Sequence, residues 1–185
     1  MTERAGATVS RTLDVPRAAA ALVLADPRTY DGVVVGSRRI RWFDPHWPDP
    51  GTTFHHTVGF GPLTVRDHSE VVEEDLPRRL RLLVHVRPLG SAEVVFRLTA
   101  DGDRTRVEMT ETPVSGVLAL SWSPPAIALA RWRNARVLAR LEKVAQGRAR
   151  SMARAGGPAG NPPAGARSPD RPVTAPDAGR APDEG

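Results

Sequence analysis

The spacing of apolar residues predicts a series of β-strands through the middle of the chain. Between residues 39 and 112, apolar and polar positions alternate in stretches that end at Pro, Gly or Asp clusters. Such alternation is typical of strands with one buried face. The turns between the stretches are short, above all Asp101-Gly102-Asp103, which indicates an antiparallel meander. With an N-terminal stretch that ends before Pro16, the pattern predicts six or seven strands, at residues 7–15, 39–44, 52–60, 63–74, 79–87, 91–100 and 104–112.

Three other segments have helical patterns. Residues 16–25 begin with a proline, which a first helical turn tolerates, and continue in strong helix formers. A short helical turn is predicted at residues 28–33. From Pro124 the period changes for nearly 30 residues, with apolar positions recurring every three or four residues. A long amphipathic helix must bury its apolar face. The pattern therefore predicts an α+β domain whose curved antiparallel sheet wraps around the C-terminal helix.

Composition sets the boundaries of the folded part. From residue 156 onward the chain is almost entirely Gly, Pro, Ala, Arg and Asp, with a single Val as its only large apolar residue. Such a segment cannot bury enough apolar surface to fold. We expect an N-terminal extension at residues 1–6, one domain at 7–153 and a disordered tail at 154–185.

Several functional classes are excluded or disfavoured at this stage. The chain has no cysteine, which rules out disulfides, thiolate metal sites and a cysteine nucleophile. It shows no signal peptide and no apolar run of about 18 residues, so we expect a cytoplasmic protein without stable membrane insertion. The formal charge is +5 and the pI about 11.0. Basic residues crowd between residues 131 and 150 around one acid, Glu142. A solvated helix face explains them better than a surface for anionic lipid or nucleic acid, and no nucleic-acid partner is expected.

The order of elements and three sequence stretches carry a family resemblance. The stretches are VPRAAAALVLADPRTYDGVVVGSRRIR, DPHWPDPGTTFHHTVGFGPLTVRDHSEV and DLPRRLRLLVHVRPLGSAEVVFRL. They resemble actinobacterial members of the SRPBCC superfamily, which includes START-like lipid-transfer domains, plant pathogenesis-related and pollen allergen proteins, and polyketide cyclases/dehydrases. The resemblance covers about residues 7–150. It implies a helix-grip fold with a pocket for a hydrophobic small molecule between sheet and helix, but no particular reaction.

Strand alternation separates the polar residues that face the pocket from those that face solvent. His55 and His56 are neighbours in one strand and must point to opposite faces, so they cannot bind one metal ion together. We therefore predict neither a metal site nor a cofactor. The register places His56, Asp67 and Glu111 on the concave face among apolar residues. They form either a hydrogen-bonded internal network or, as candidate catalytic residues, a general acid/base set acting on a carbonyl substrate.

The remaining candidate site residues are expected to bind the ligand. Tyr30 would orient it through the hydroxyl or only pack a helix, and Trp132 would cover the pocket mouth or only pack an edge. The predicted ligand-binding set is Tyr30, Phe54, Val58, Val65, Val84, Phe96, Met109, Trp132 and Asn134. Two functions remain open: binding of a hydrophobic or amphipathic molecule, lipid- or polyketide-like, in an internal cavity, and catalysis of the polyketide cyclase/dehydratase type.

Overall fold

The computed structural model describes residues 6–34, 37–60 and 63–155, with side chains for all of these except 37–39, 58–60, 63–66 and 155. The strands are β1 (Ala7–Leu13), β2 (Ser37–Phe43), β3 (Thr53–Phe60), β4 (Leu63–Asp75), β5 (Arg79–Val86), β6 (Gly90–Asp101) and β7 (Arg104–Ser115). The helices are α1 (Arg17–Ala25), α2 (Tyr30–Val33), α3 (Gly116–Leu120) and α4 (Pro124–Ala155), with a 3-10 turn at Pro27–Thr29. The predicted tail lies outside the described residues, apart from the last two residues of α4.

The seven strands form one antiparallel sheet in the order β1-β7-β6-β5-β4-β3-β2. All neighbours except β1 and β7 follow each other in the chain, as the meander requires. The hairpin between β6 and β7 turns at Gly102, whose φ of 60° is a conformation that side chains with a Cβ rarely adopt. The predicted antiparallel meander is confirmed.

Helix α4 fills the concave side of the sheet, packing against β1, α1, α2 and the end of β7. Its buried residues recur at the predicted spacing: Ala130, Asn134, Val137, Leu138, Leu141 and Ala145. Leu138 and Leu141 are fully buried, and each contributes about 1.5–3 kcal/mol relative to an exposed side chain. The predicted α+β fold, a curved sheet around a C-terminal helix, is confirmed.

Two features differ from the sequence prediction. Strand β7 was expected to end before Pro113 but continues to Ser115. Pro113 is accommodated because it pairs with Ala92 at a register shift in the β6–β7 ladder, where a missing N–H donor is tolerated. Helix α3 was not predicted, because its five residues are too few to show a helical period.

Candidate ligand-binding cavity

A cavity of about 130 Å³ lies between the concave face of the sheet, α2 and α4. Its walls are mainly apolar because the inward positions of β5, β6 and β7 carry aliphatic and aromatic residues. The apolar lining consists of Tyr30, Val33, Val34, Phe54, Leu82, Val84, Val86, Ala92, Val94, Phe96, Met109 and Val137. The polar lining consists of His56, Ser69, His85, Glu111, Arg133 and Asn134.

His56 and Asp67 lie directly opposite each other in the β3–β4 ladder, and both side chains are buried. The Arg87 backbone N–H donates to Asp67 Oδ1 at 3.1 Å. Asp67 Oδ2 and His56 Nδ1 have no hydrogen-bond partner among the described residues. Burial lowers the pKa of His56, although the nearby Asp67 carboxylate acts in the opposite direction. The imidazole is therefore neutral near pH 7.

A second polar group lies where β7 meets α4. The Asn134 side-chain amide donates to Glu111 Oε2 at 2.9 Å, and the Arg133 guanidinium pairs with the same carboxylate oxygen. Asn134 is fully buried, Glu111 is nearly so, and Arg133 is partly exposed. The Glu111 charge is thus compensated at the edge of the cavity, as a buried carboxylate requires.

Four rings pack together near α2, and three of them, Tyr30, Phe54 and His56, line the cavity. The Tyr30 ring centroid lies 4.8 Å from that of Phe54, and Phe54 lies 4.9 Å from Trp47 and 5.2 Å from His56. The Tyr30 hydroxyl donates to the Leu24 carbonyl at 3.0 Å, and burial raises its pKa. Tyr30 therefore uses its hydroxyl to hold the α1–α2 connection and presents its ring to the cavity.

Most of the predicted site residues meet at this cavity, but not all. Asp67 is buried behind His56 and does not line the cavity. The side chains of Val58 and Val65 lie outside the described residues. Trp132 does not line the cavity; it is half-exposed, and the Arg136 guanidinium lies 3.9 Å above its ring. The residues that line the cavity as predicted are Tyr30, Phe54, His56, Val84, Phe96, Met109, Glu111 and Asn134.

Sequence reasoning missed three polar lining residues, Arg133, Ser69 and His85. Ser69 lies on the same strand face as Asp67, which the alternation had already assigned as inward. Arg133 precedes Asn134, so helical spacing places it at the edge of the buried stripe. Its partner Glu111 is 22 positions away in the chain, and no local pattern connects the two.

A row of three histidines crosses the sheet on the face that alternation placed outside the pocket, although His85 also contributes to the cavity lining. His55, His68 and His85 lie on adjacent strands, with ring centroids 5.5 and 4.1 Å apart and nearly parallel planes. Burial and the two neighbouring rings lower the pKa of His68. Within the described ranges, no three His, Asp or Glu side chains converge as metal ligands would. The row is therefore a stack of rings across three strands.

Comparison with known proteins identifies the fold. No protein-family model matches this chain. No curated protein matches it significantly in sequence. A conserved protein from Geobacillus kaustophilus superposes with a TM-score of 0.60 at 17% identity, over 76% of this chain and 94% of its own. Ara h 8.0201 superposes with a TM-score of 0.61 at 11% identity, over 76% and 96%.

DynU16, a putative protein in the dynemicin biosynthetic locus, also superposes, with a TM-score of 0.56 at 14% identity. The match covers 78% of this chain and 48% of DynU16, so this chain spans about half of that protein. At these identities the similarity shows the fold alone, which is a helix-grip fold. Within the described ranges, no helix combines the length and apolar character needed to cross a bilayer.

Proposed function

We propose that this protein binds a compact, mostly apolar small molecule in the cavity between its sheet and α4. One observation carries the proposal: the cavity has apolar walls and is lined by a buried histidine, His56, whose Nδ1 has no partner among the described residues. An apolar cavity with a few polar groups is the common form of a small-molecule site. A bound molecule would satisfy this nitrogen and fill the space.

The size of the cavity limits the ligand. At about 130 Å³ it is smaller than the roughly 300–1,000 Å³ of most drug-sized pockets. An apolar cavity of roughly 150 Å³ holds benzene. The cavity in this conformation therefore suits one ring, or one end of a longer molecule. A whole lipid- or polyketide-like ligand would require the sheet and α4 to move apart.

The charges around the cavity favour a neutral ligand. His56 is uncharged near pH 7 because burial lowers its pKa. The Glu111 carboxylate is already compensated by Arg133 and by the Asn134 amide. A charged ligand would enter a low-dielectric space without a free counter-charge, which is costly. We infer a neutral molecule with one hydroxyl or similar donor.

Phenol and toluene test this proposal because they differ in the hydroxyl. A neutral hydrogen bond to His56 is worth about 0.5–1.5 kcal/mol, so phenol should bind roughly 2- to 12-fold more tightly than toluene. His56→Phe should remove this preference. His55→Phe is the matched control, because the neighbouring side chain lies on the opposite face of β3 and should leave the preference unchanged. Affinities can be measured by NMR titration.

The outcomes separate two parts of the proposal. Binding of neither compound would contradict a usable cavity. Equal binding of both would keep the cavity but contradict the role of His56. Native mass spectrometry of the protein from its own cells adds an independent test, since a co-purifying small molecule would identify the natural ligand directly.

Catalysis of the polyketide cyclase/dehydratase type is the second candidate. The specific observation in its favour is that His56 and Asp67 are paired directly across the β3–β4 ladder, which places a carboxylate near the imidazole without a hydrogen bond between them. A His with a nearby carboxylate suits proton transfer near neutral pH. Glu111 is less suited, because Arg133 and Asn134 already engage it. An enzyme predicts that His56→Ala abolishes turnover of a linear poly-β-ketone while its affinity changes only a few fold. Loss of affinity with no turnover in either protein would contradict catalysis.

The superfamily, the domain bounds and the cellular location are proposed from the sequence. The three quoted stretches support membership of the SRPBCC superfamily, in an actinobacterial group related to polyketide cyclases. We assign binding to a domain at residues 7–153 and treat residues 154–185 as a tail without a role in the cavity. A chain without cysteine is compatible with the cytoplasmic location that we propose.

A further inference from the structure

Six exposed apolar side chains lie at one end of the molecule, on the β5–β6 turn, the end of β7, α3 and the start of α4. Leu120, Leu129 and Trp132 have exposed fractions of 85%, 65% and 54%, unusually high for side chains of this size. We call this set the apolar end: Leu89, Val114, Val117, Leu120, Leu129 and Trp132.

Backbone contacts bring these segments together. The Leu118 N–H of α3 donates to the Leu89 carbonyl of the β5–β6 turn at 3.0 Å. The turn and the end of β7 are so close together that a Cβ on Gly90 would lie 2.1 Å from the Ser115 carbonyl oxygen. Only three residues separate α3 from α4, and the bond from Asn134 to Glu111 holds the start of α4 beside the end of β7. The turn, the end of β7 and α3 therefore form one part of the apolar end. Leu129 and Trp132, in the first three turns of α4 after the three-residue link, form the other part.

The segments that carry most of the apolar end contain only positive charges. Residues 112–141 contain no Asp or Glu, and four arginines. Arg133 is paired with Glu111, whereas Arg131 and Arg136 make no ion pair among the described residues. The Arg136 guanidinium instead lies over the Trp132 ring. Apolar side chains, an exposed Trp and unpaired cations are the combination by which proteins bind at the surface of an anionic bilayer.

We propose that the apolar end docks this protein onto the surface of an anionic lipid bilayer. The apolar residues enter the boundary between headgroups and acyl chains, Trp132 lies at the headgroup level, and the arginines contact the lipid charges. No segment spans the bilayer. The proposal does not depend on the identity of the cavity ligand.

Other occupants fit these observations less well. The chain beyond residue 155 contains one Val and no larger apolar residue, so it cannot cover six apolar side chains. A second copy would bring Arg131 and Arg136 against the same cations. In protein–protein interfaces, the side chains that contribute most to affinity usually fill well-packed pockets. None of the six residues of the apolar end lines the cavity. A fluid lipid interface needs no matching shape.

The apolar end and one side of the cavity are carried by the same elements of the fold. Val86, Ala92, Glu111 and Arg133, which line the cavity, belong to the same turn, strand ends and helix that carry the apolar end. A docked molecule would hold this side of its cavity against the bilayer. An apolar ligand could then pass between lipid and cavity without crossing water.

Vesicle co-sedimentation of the full chain tests the proposal, with phosphatidylcholine vesicles that contain or lack phosphatidylglycerol. We expect binding only to the anionic vesicles, weakening as salt is raised. Leu120→Gln with Leu129→Gln should weaken the partition coefficient at least about tenfold, because two leucines no longer leave water. The matched control is Leu22→Gln with Met152→Gln, which removes two similarly exposed apolar side chains elsewhere and should have no effect.

A second pair of variants tests the charges. Arg131→Gln with Arg136→Gln should weaken binding by about fivefold per arginine and flatten its salt dependence. Arg104→Gln with Arg150→Gln lowers the net charge equally at other positions and should have a much smaller effect. All eight substituted residues are exposed, so the variants should fold, which circular dichroism can verify.

Three results would overturn the proposal. One is the absence of vesicle binding at low salt. Another is equal binding to neutral and anionic vesicles. The third is a dimer in sedimentation velocity that Leu120→Gln with Leu129→Gln dissociates, which would make the apolar end an interface between copies of the chain.

Discussion

Filling the cavity with protein atoms should stabilise the fold and exclude the ligand. An unfilled cavity costs about 24 cal/mol per Å³, so a volume of about 130 Å³ corresponds to about 3 kcal/mol. Ala92 is the residue to enlarge, because it is buried, lines the cavity and pairs with Val84 on the neighbouring strand. Ala92→Leu adds three carbons, worth about 2.4 kcal/mol at about 0.8 kcal/mol each. Loss of side-chain freedom removes about 0.5–1 kcal/mol. The expected gain is about 1–2 kcal/mol.

Urea unfolding measures this gain, and the melting temperature should rise by about 2–4 °C per kcal/mol. Ala19→Leu is the matched control. Ala19 is equally buried, but it packs in α1 away from the cavity, where the same three carbons should overpack the core and cost about 1–3 kcal/mol. Phenol binding should be lost in Ala92→Leu and kept in Ala19→Leu.

The two variants are expected to change the free energy of unfolding in opposite directions, so the measurement can refute this reasoning. If Ala92→Leu destabilises the protein as much as Ala19→Leu does, the space beside Ala92 is not available to a side chain. If Ala92→Leu is stabilised and still binds phenol with unchanged affinity, the ligand occupies another site.

Three further predictions concern the polar residues of the site. The pKa of His56 is lower in the folded protein than in the unfolded chain, so protonation of this side chain favours unfolding. The free energy of unfolding should therefore be highest above about pH 6.5 and fall as the pH drops below that value. In urea unfolding, His56→Gln should reduce this fall. Asn134→Leu removes a charge-assisted hydrogen bond to Glu111 and should cost about 1.5–3 kcal/mol by the same assay. Tyr30→Phe loses the bond to the Leu24 carbonyl and should cost about 1 kcal/mol, with phenol affinity unchanged.

Each of these has a result that would contradict it. A His56→Gln profile identical to wild type would mean that this imidazole does not titrate during unfolding. Asn134→Leu should be compared with Ala135→Leu, an exposed neighbour expected to change stability by less than about 0.5 kcal/mol, and equal effects would contradict the buried bond. Weaker phenol binding by Tyr30→Phe would show that the hydroxyl contacts the ligand after all.

The inward positions could be predicted because the period of a strand is a local property. Successive side chains in a strand point to opposite faces whatever the rest of the fold does. The separation of His55 from His56, and the inward placement of Phe96 and Met109, followed from the chain alone. The same holds for Leu138 and Leu141 on α4, because an amphipathic helix buries its apolar stripe wherever it packs.

Trp132 is a residue whose surroundings local periodicity could not predict. Its helical position excluded it from the buried stripe but did not indicate whether another element covers that side of α4. In the structure nothing in the described residues buries it, and it pairs with Arg136 instead. The Glu111–Arg133 pair was missed for a related reason, since it depends on where α4 crosses β7.

The sequence by itself determined the order of the strands and the main helices, the antiparallel meander, the inward face of most strands and the buried stripe of α4. These follow from backbone periodicity, turn chemistry and the exclusion of apolar side chains from water, all of which act over a few residues. The tertiary structure alone decided the volume of the cavity, the partner of Glu111, the stacking of His55, His68 and His85, and the apolar end. These depend on strand register and on the packing of α4 against the sheet, where small displacements decide which distant side chains meet and how much space is left between them.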